Sequence, residues 1–386
     1  MNTLPLYFDY AATTPVDERV IQAMVTCLGA SGNFGNPASS SHCYGRSARE
    51  AVEHARGQVA GLVGAQAEQI IWTSGATESN NLALKGLAQG RQGGHIISSQ
   101  LEHKAVLDTL HQLERDGFSL TLLAPDDQGL ISVEALRGAL REDTFLVSVM
   151  LVNNELGTVN DIPALANVVR KHGALLHVDA AQGAGKLPIE LSRWQVDLMS
   201  FSAHKVYGPK GIGALYVGER ARPLLQAQMH GGGHEGGLRS GTLATHQIVG
   251  MGEAFSLAQS LFAEESERIR HLQQRLREQL LDIPGIQLNG SAEQRVVHTL
   301  SLTFRGEHPD FQQLAHTLAF SSTSACNSAA NAASHVLLAL GHEPQAARQT
   351  LRLSLGRYTQ MQDIDQAVRA IKASLQSQPF WAVARG

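Results

Sequence analysis

The chain is poor in several features that mark whole classes of protein. It has three cysteines, Cys27, Cys43 and Cys326, odd in number and far apart. That argues against a disulfide framework and against a CxxC metal knuckle, and for a reducing compartment. No uninterrupted apolar stretch approaches the roughly 20 residues that cross a bilayer. The opening "MNTLPLYFDYAATTPVDE" lacks a basic region followed by an apolar run, so it does not read as a signal peptide. No long basic run appears and the formal net charge is −4, so the footprint of a direct nucleic-acid binder is missing. The expectation is a cytoplasmic protein with neither membrane nor direct nucleic-acid partner. Lysine is scarce as well: seven against far more arginines. One of the seven, Lys205, stands between a serine–histidine pair and a glycine-rich turn in "SFSAHKVYGPKGIGALYV" (Ser200–Val217).

What is present is a large interior. With 386 residues, 43% hydrophobic and 17% charged, the chain reads as a globular protein of two domains. Short apolar runs alternate with helical patterns from about Glu68 to Val217. The expected strands are Gln69–Thr73, His95–Ser99, Leu120–Leu123, Leu146–Val152, Leu175–Asp179, Leu198–Ser202 and Gly213–Val217. Several are apolar on both faces, as strands covered by helices on both sides should be. Helices are expected at Glu78–Gln89, Lys104–Asp116 and Ile162–Lys171. Strand–helix alternation of this kind predicts an α/β domain with a mostly parallel sheet. Around Gln247 the texture changes, and Leu257, Leu261, Ile269, Leu272, Leu276 and Leu280 recur near three- and four-residue intervals. That predicts a long amphipathic helix bridging into a second domain and stopped by Pro284–Gly285. The remainder, with a strand at Thr299–Phe304, reads as a smaller α+β domain. No internal repeat or low-complexity segment is evident.

Three stretches carry chemistry. In "HVDAAQGAGK" (His177–Lys186) Asp179 ends an apolar strand, where open α/β sheets bind ligands; alone it would be an ordinary helix-capping aspartate. "GAGK" imitates part of a P-loop, but the full spacing is missing and Leu187 replaces the hydroxyl residue, which excludes an NTPase. In "TSGATESNN" (Thr73–Asn81) a strand ends, small residues turn the chain and a helix begins, so free N–H groups could receive an anion, although ordinary helix capping looks the same. In the lysine stretch, Ser202, His204 and Lys205 follow a strand. Gly208, Gly211 and Gly213 precede another, so they are no dinucleotide fingerprint. Together, a phosphate-binding turn, a strand-end carboxylate and a strand-end lysine are the parts of a pyridoxal 5'-phosphate site. The lysine bonds to the cofactor aldehyde, and the aspartate keeps the ring nitrogen protonated so that the ring accepts electrons. Desolvation and nearby positive character keep the lysine nucleophilic.

With these residues in view, the chain resembles the cysteine desulfurases of NifS/IscS type, in the class V aminotransferase-like group on the fold-type I scaffold. The resemblance covers nearly the whole length. It runs through "DYAATTPVD" (Asp9–Asp17), "GNPASSSH" (Gly35–His42), "SGATESNN", "EHKAV", "VNNELGTV", "HVDAAQ" and the lysine stretch. It continues in "GGGHEGGLRSGT" (Gly231–Thr242), "SSTSACNSA" (Ser321–Ala329) and "LRLSLGRYT" (Leu351–Thr359). It implies a large cofactor-binding domain over residues 13–257, with a seven-stranded sheet, and a small domain from residues 1–12 and 258–386 carrying the catalytic cysteine. By the same resemblance Lys205 carries the cofactor, Asp179 meets the ring nitrogen, and His103 stacks on the ring and moves protons. Gln182 and Asn154 contact the ring hydroxyl, with Asn154 also near the substrate. Ala76, Thr77, Ser202 and His204 hold the phosphate. Thr242 reaches the phosphate of a neighbouring subunit, which implies a homodimer with shared sites. Arg352 pairs with the substrate carboxylate. The implied reaction takes sulfur from L-cysteine, releases L-alanine and leaves a persulfide on Cys326 for an acceptor, ordinarily a protein, in iron–sulfur cluster assembly, tRNA thiolation or DNA phosphorothioation.

Other features take blander readings. Cys27, in the helical run "VIQAMVTCLG", reads as packing, and Cys43 beside His42 as structural. His230 and His234 in "HGGGHEGG" sit among five glycines that oppose the helix an H-x-x-x-H metal site prefers. They read as a mobile loop at the rim of the site, and no metal is expected. Two positions depart from the family pattern. Thr323 stands where relatives often carry glycine, and Gly236 where many have arginine. The stiffer Thr323 suggests that Cys326 is held in a more ordered segment, on or near a strand. The rival readings are a selenocysteine lyase or another fold-type I lyase that does not require Cys326, and a non-catalytic scaffold.

Overall fold

A computed structural model describes residues 4–306, 309–322 and 333–376. Its strands in chain order are β1 (Leu6–Tyr7), β2 (Ile70–Thr73), β3 (His95–Ser99), β4 (Ser119–Leu123), β5 (Thr144–Met150), β6 (Leu175–Asp179), β7 (Leu198–Ser202) and β8 (Gly213–Val217). After these come β9 (Ile286–Leu288), β10 (Thr299–Phe304), β11 (Leu318–Ala319), β12 (Ser321–Ser322) and β13 (Thr350–Ser354). Strands β2 to β8 form one seven-stranded sheet in the order β2-β8-β7-β6-β5-β3-β4. Only β8 runs against the rest, since it pairs antiparallel with both β2 and β7. Every residue of β2, β3, β5, β6, β7 and β8 is buried, whereas the edge strand β4 is mostly not. Helices cover both faces of the inner strands, and this is why those runs are not alternating. The β5 run ends sooner than its apolar character suggests. Leu151 and Val152 stay buried but already belong to the turn that leaves the sheet.

The helix Thr245–Leu281 is 37 residues long, roughly 55 Å at 1.5 Å per residue. Ile248, Met251, Phe255 and Ala258 pack into the core of the large sheet. Ile269, Leu272, Leu276 and Leu280 pack into a separate core with Phe8 and the strands of the second sheet. One apolar stripe thus serves two interiors. The helix stops at Leu281, before Pro284 and before Gly285 at φ +85°. The second sheet is antiparallel, in the order β12-β13-β10-β9. β1 pairs in parallel with β11, and the Ser354 N–H donates to the Phe8 carbonyl at 2.7 Å, so the start of the chain is stitched to the second sheet before it crosses to the first. The helical run around Cys27 is also shorter than read. The helix spans Glu18–Val25, and Cys27 lies buried just beyond it. No helix among the described residues is long and apolar enough to cross a membrane.

Candidate active site

Parallel strands deliver their C-terminal ends to one edge of a sheet, and the loops that follow build a crevice there. β2, β6 and β7 end at Thr73, Asp179 and Ser202 on that edge. The crevice is a cavity of about 520 Å³. It gathers Ala76, Thr77, His103, Asn154, Asp179, Gln182, Ser202, His204, Lys205 and Arg352, residues spread over 277 positions of sequence from 76 to 352. Thr242 does not line it and is exposed on its own chain. Thr323 and Cys326 lie outside the described residues, and with them the expectation of an ordered segment around the cysteine.

Lys205 leaves β7 through the single turn Ala203–Lys205, and its Nζ donates to the carbonyls of Ala11 and Ala12 at 2.7 and 2.6 Å. Burial pushes its pKa down to about 8. Arg352 acts in the same direction, and Asp9 and Asp179 oppose. Asp179 is buried. Its Oδ2 accepts from Asn80 Nδ2 at 2.8 Å and its Oδ1 from the Ala181 N–H at 3.0 Å. Together the two bonds fix the plane of the carboxyl group.

The helix Ala76–Ala88 opens at Gly75, and among the described residues no side chain caps its first turn. The first N–H groups of a helix have no partner within it, so this end faces the cavity ready for an anion. β8 makes room for the turn. A Cβ on Gly213 would stand 2.5 Å from the Phe201 carbonyl oxygen and 2.6 Å from Gly75 Cα. Beside this end, burial and then Lys205 push the His204 pKa down to about 4, so its ring is neutral at neutral pH; its Nδ1 lies 3.1 Å from Thr13 Oγ1.

His103 caps the helix Lys104–Arg115, its Nδ1 accepting from the Ala105 N–H at 3.1 Å. The neutral ring therefore carries its proton on Nε2. The protein around the ring lowers its pKa; Asp179 opposes and Lys205 reinforces this. On the far wall, Arg352 of β13 donates from Nη1 to the Asn154 carbonyl at 2.8 Å. Its Nη2 donates to Asp9 Oδ1 at 2.8 Å and to Ser321 Oγ at 2.7 Å. Among the described residues, the buried Arg352 Nε and Asn154 Oδ1 have no hydrogen-bond partner. Such atoms are costly unless something else binds them.

Residues 6–367 match the aminotransferase class-V family. The chain belongs to that family. Its members work with pyridoxal phosphate. The chain is 57% identical over 371 residues to the cysteine desulfurase IscS of Azotobacter vinelandii, covering 95% of this chain and 92% of that protein. It superposes on a NifS-like protein with a TM-score of 0.88 at 34% identity, covering 97% of this chain and all of the other (100%). On a structure described as SspA in complex with cysteine the TM-score is 0.81 at 40% identity, covering 92% and 99%.

The structure also brings residues to the site that the sequence reading left without a role. Asn80 lies four positions after Ala76, a spacing that puts it on the same helix face. Asp9 sits in a quoted motif, but only the fold carries it 343 positions to Arg352. Glu102 is fully buried beneath His103. Its Oε1 accepts from Ser99 Oγ at 2.6 Å and from the Met150 N–H at 3.0 Å, while its Oε2 has no partner among the described residues. The glycine-rich rim loop is anchored rather than loose at one point. Glu235, at φ +52°, accepts from the Trp72 N–H at 2.9 Å and pairs with Arg56 at 2.7 Å. His234 Nδ1 accepts from the Gly241 N–H at 3.3 Å, and no group of three metal-binding side chains occurs among the described residues.

Proposed function

We propose that this chain is a pyridoxal phosphate-dependent cysteine desulfurase, acting in the cytoplasm, that converts L-cysteine to L-alanine and holds the removed sulfur as a persulfide on Cys326. The observation that carries the reading is the convergence, in one cavity, of a half-buried amine, a fixed carboxylate, an uncapped helix N-terminus and an arginine whose Nε has no partner among the described residues.

These residues fit the cofactor. The helix end at Ala76–Thr77, with Ser202 and His204 beside it, suits a phosphate. The Asp179 carboxylate suits a protonated ring nitrogen, Gln182 and the unpartnered Asn154 Oδ1 suit polar groups of the ring, and the Lys205 amine suits the aldehyde. When bound, pyridoxal phosphate draws electron density from the α-carbon of an attached amino acid. The chain does the rest. Arg352 receives the α-carboxylate, its Nε being without a partner among the described residues. Lys205, with a pKa near 8, holds enough neutral amine at neutral pH to take the α-proton, and His103 Nε2 can hand one back. Cys326, as thiolate, bonds to the substrate sulfur as the carbon–sulfur bond breaks, and a proton completes alanine.

The working unit in this reading is a homodimer in which Thr242 serves the partner's phosphate. Residues 13–257 form the cofactor domain, and residues 1–12 with 258–386 form the small domain. A protein acceptor takes the sulfur onward. The test is to incubate purified, cofactor-loaded protein with L-cysteine and measure alanine and protein-bound sulfur. Both should form, Lys205→Ala should abolish both, and Cys326→Ser should abolish the bound sulfur and alanine turnover with it. Wild-type alanine output from Cys326→Ser would assign a lyase instead.

A further inference from the structure

The rejected P-loop mimic, "GAGK", ends in a lysine that points back at the site. Two successive turns, Ala180–Gly183 and Gly183–Lys186, wind the chain so that residues 182 and 186 lie side by side. Gly185 makes this possible. It sits at φ +70°, and a Cβ there would stand 2.8 Å from Val206 Cγ1. Lys186 Nζ donates to Gln182 Oε1 at 2.8 Å. Gln182 Nε2 in turn donates to the Ala11 carbonyl at 2.8 Å, the same oxygen that accepts from Lys205 Nζ at 2.7 Å. The two lysines are therefore joined through one amide and one carbonyl.

The chemistry of this relay is directional. An ammonium only donates and a backbone carbonyl only accepts, whereas a glutamine amide can turn over and exchange its oxygen and nitrogen. With Lys186 on one side and Ala11 on the other, only one orientation satisfies both. We propose that Lys186 is a positioning residue for the cofactor pocket: its Nζ, donating to Gln182 Oε1, holds the Gln182 amide with Nε2 towards Ala11 and the cavity, so that the pocket beside Lys205 offers a hydrogen-bond donor to an oxygen of the ligand.

The surroundings of Lys186 weaken its hold on a proton. Lys186 and Lys205 both line a small cavity of about 20 Å³, room for one water. Burial lowers the Lys186 pKa to about 7, with Lys205 and then Arg352 adding to the effect. His204 and His298 also face its charge, and burial holds both rings neutral near pH 7. Glu265 and Arg357, on the far wall, are paired with each other, and the phenols of Tyr10 and Tyr207 complete the lining.

This inference rests on the cofactor reading above, and one experiment separates the two. Pyridoxal phosphate is titrated into wild type, Lys186→Met, Lys186→Arg and Gln182→Leu, and its visible absorption reports binding. Without the Lys186 donor the Gln182 amide is free to turn over, so Lys186→Met should weaken pyridoxal phosphate binding by roughly tenfold. Lys186→Arg, which keeps a donor, should bind within about threefold of wild type. Should Lys186→Met fail to fold, as judged by its melting curve, Gln182→Leu tests the same link from its other end. It should weaken pyridoxal phosphate binding by a similar factor. A visible band whose cofactor affinity is unmoved in whichever of these two variants folds overturns the role of Lys186 alone. No visible band in wild type overturns the cofactor reading and this inference together.

Discussion

A carboxyl sealed in the interior keeps its proton, and Glu102 is such a group, with no cation paired to it among the described residues. Burial pushes its pKa up to about 8 from an ordinary 4.5, against the bonds from Ser99 and Met150. Above pH 4.5 the unfolded chain releases a proton that the folded one retains. Stability attributable to this group therefore falls as pH rises from 4.5 towards 8. Glu102→Gln keeps the acceptor oxygen and removes the titration. It should melt close to wild type at pH 4.5 and several degrees above it at pH 8.5, read by calorimetry of the two proteins side by side. An equal difference at both pH values would show that Glu102 is ionised where it sits. Arg352 makes the complementary case at the substrate end. Arg352→Met removes a charge-assisted contact to the α-carboxylate, so KM for cysteine should rise about 10- to 100-fold. The same change removes a positive charge that lowers the Lys205 pKa. The acid limb of the kcat/KM profile should therefore move to higher pH. A KM within twofold of wild type would mean that the carboxylate binds elsewhere.

At the scale of elements, the anion-ready helix end exists because a strand makes way for it. Gly213 of β8 touches the Gly75 turn so closely that no side chain fits between them. Gly213→Ala should cost about 1–3 kcal/mol of stability. It should weaken pyridoxal phosphate binding more than Gly138→Ala, where a Cβ meets open space. Cofactor titration monitored by absorbance checks the ranking, and equal affinities would detach the turn from phosphate binding. Elements of this kind are where the sequence reads most clearly. The helix Ile162–His172 has Asp161 accepting from the Ala164 N–H, Pro163 in its first turn and Gly173 left-handed at its end, signals that all lie within a few residues of one another. The inner strands declare themselves because both of their faces need apolar side chains. Asp179 and Lys205 are legible for a related reason: a polar residue that abruptly ends such a run stands at the sheet edge where ligands bind.

What stays illegible is set at the scale of the whole molecule, where contacts join residues that no local pattern relates. Asp9 reaches Arg352, the Ala11 and Ala12 carbonyls reach Lys205, and Lys186 reaches the pocket through a glutamine. Each depends on the first residues of the chain leaving the second sheet and passing under the first. Arg357 holds that crossing. Its Nη1 donates to Asp17 Oδ2 at 2.7 Å, its Nε and Nη2 pair with Glu265 of the long helix, and its guanidinium lies 4.1 Å from the Tyr207 ring centre. One side chain thereby ties the N-terminal helix, the long helix and the turn beyond Lys205. Arg357→Leu leaves the Asp17 and Glu265 carboxylates facing each other, with Asp17 still bound to Arg19. It should cost about 3 kcal/mol or more at pH 7. The bonds from Arg19, and those from Arg357 after the opposing effect of burial, hold the Asp17 carboxyl well below its ordinary 3.8. Stability from a depressed carboxyl is present above its unfolded value and lost as pH falls below it. Urea unfolding of Arg357→Leu and wild type should therefore differ by a constant amount from pH 7 to about pH 4 and converge only in stronger acid. A gap that instead closes between pH 7 and pH 5 would mean that Asp17 is not what Arg357 stabilises, and that the crossing is held by packing on Tyr207.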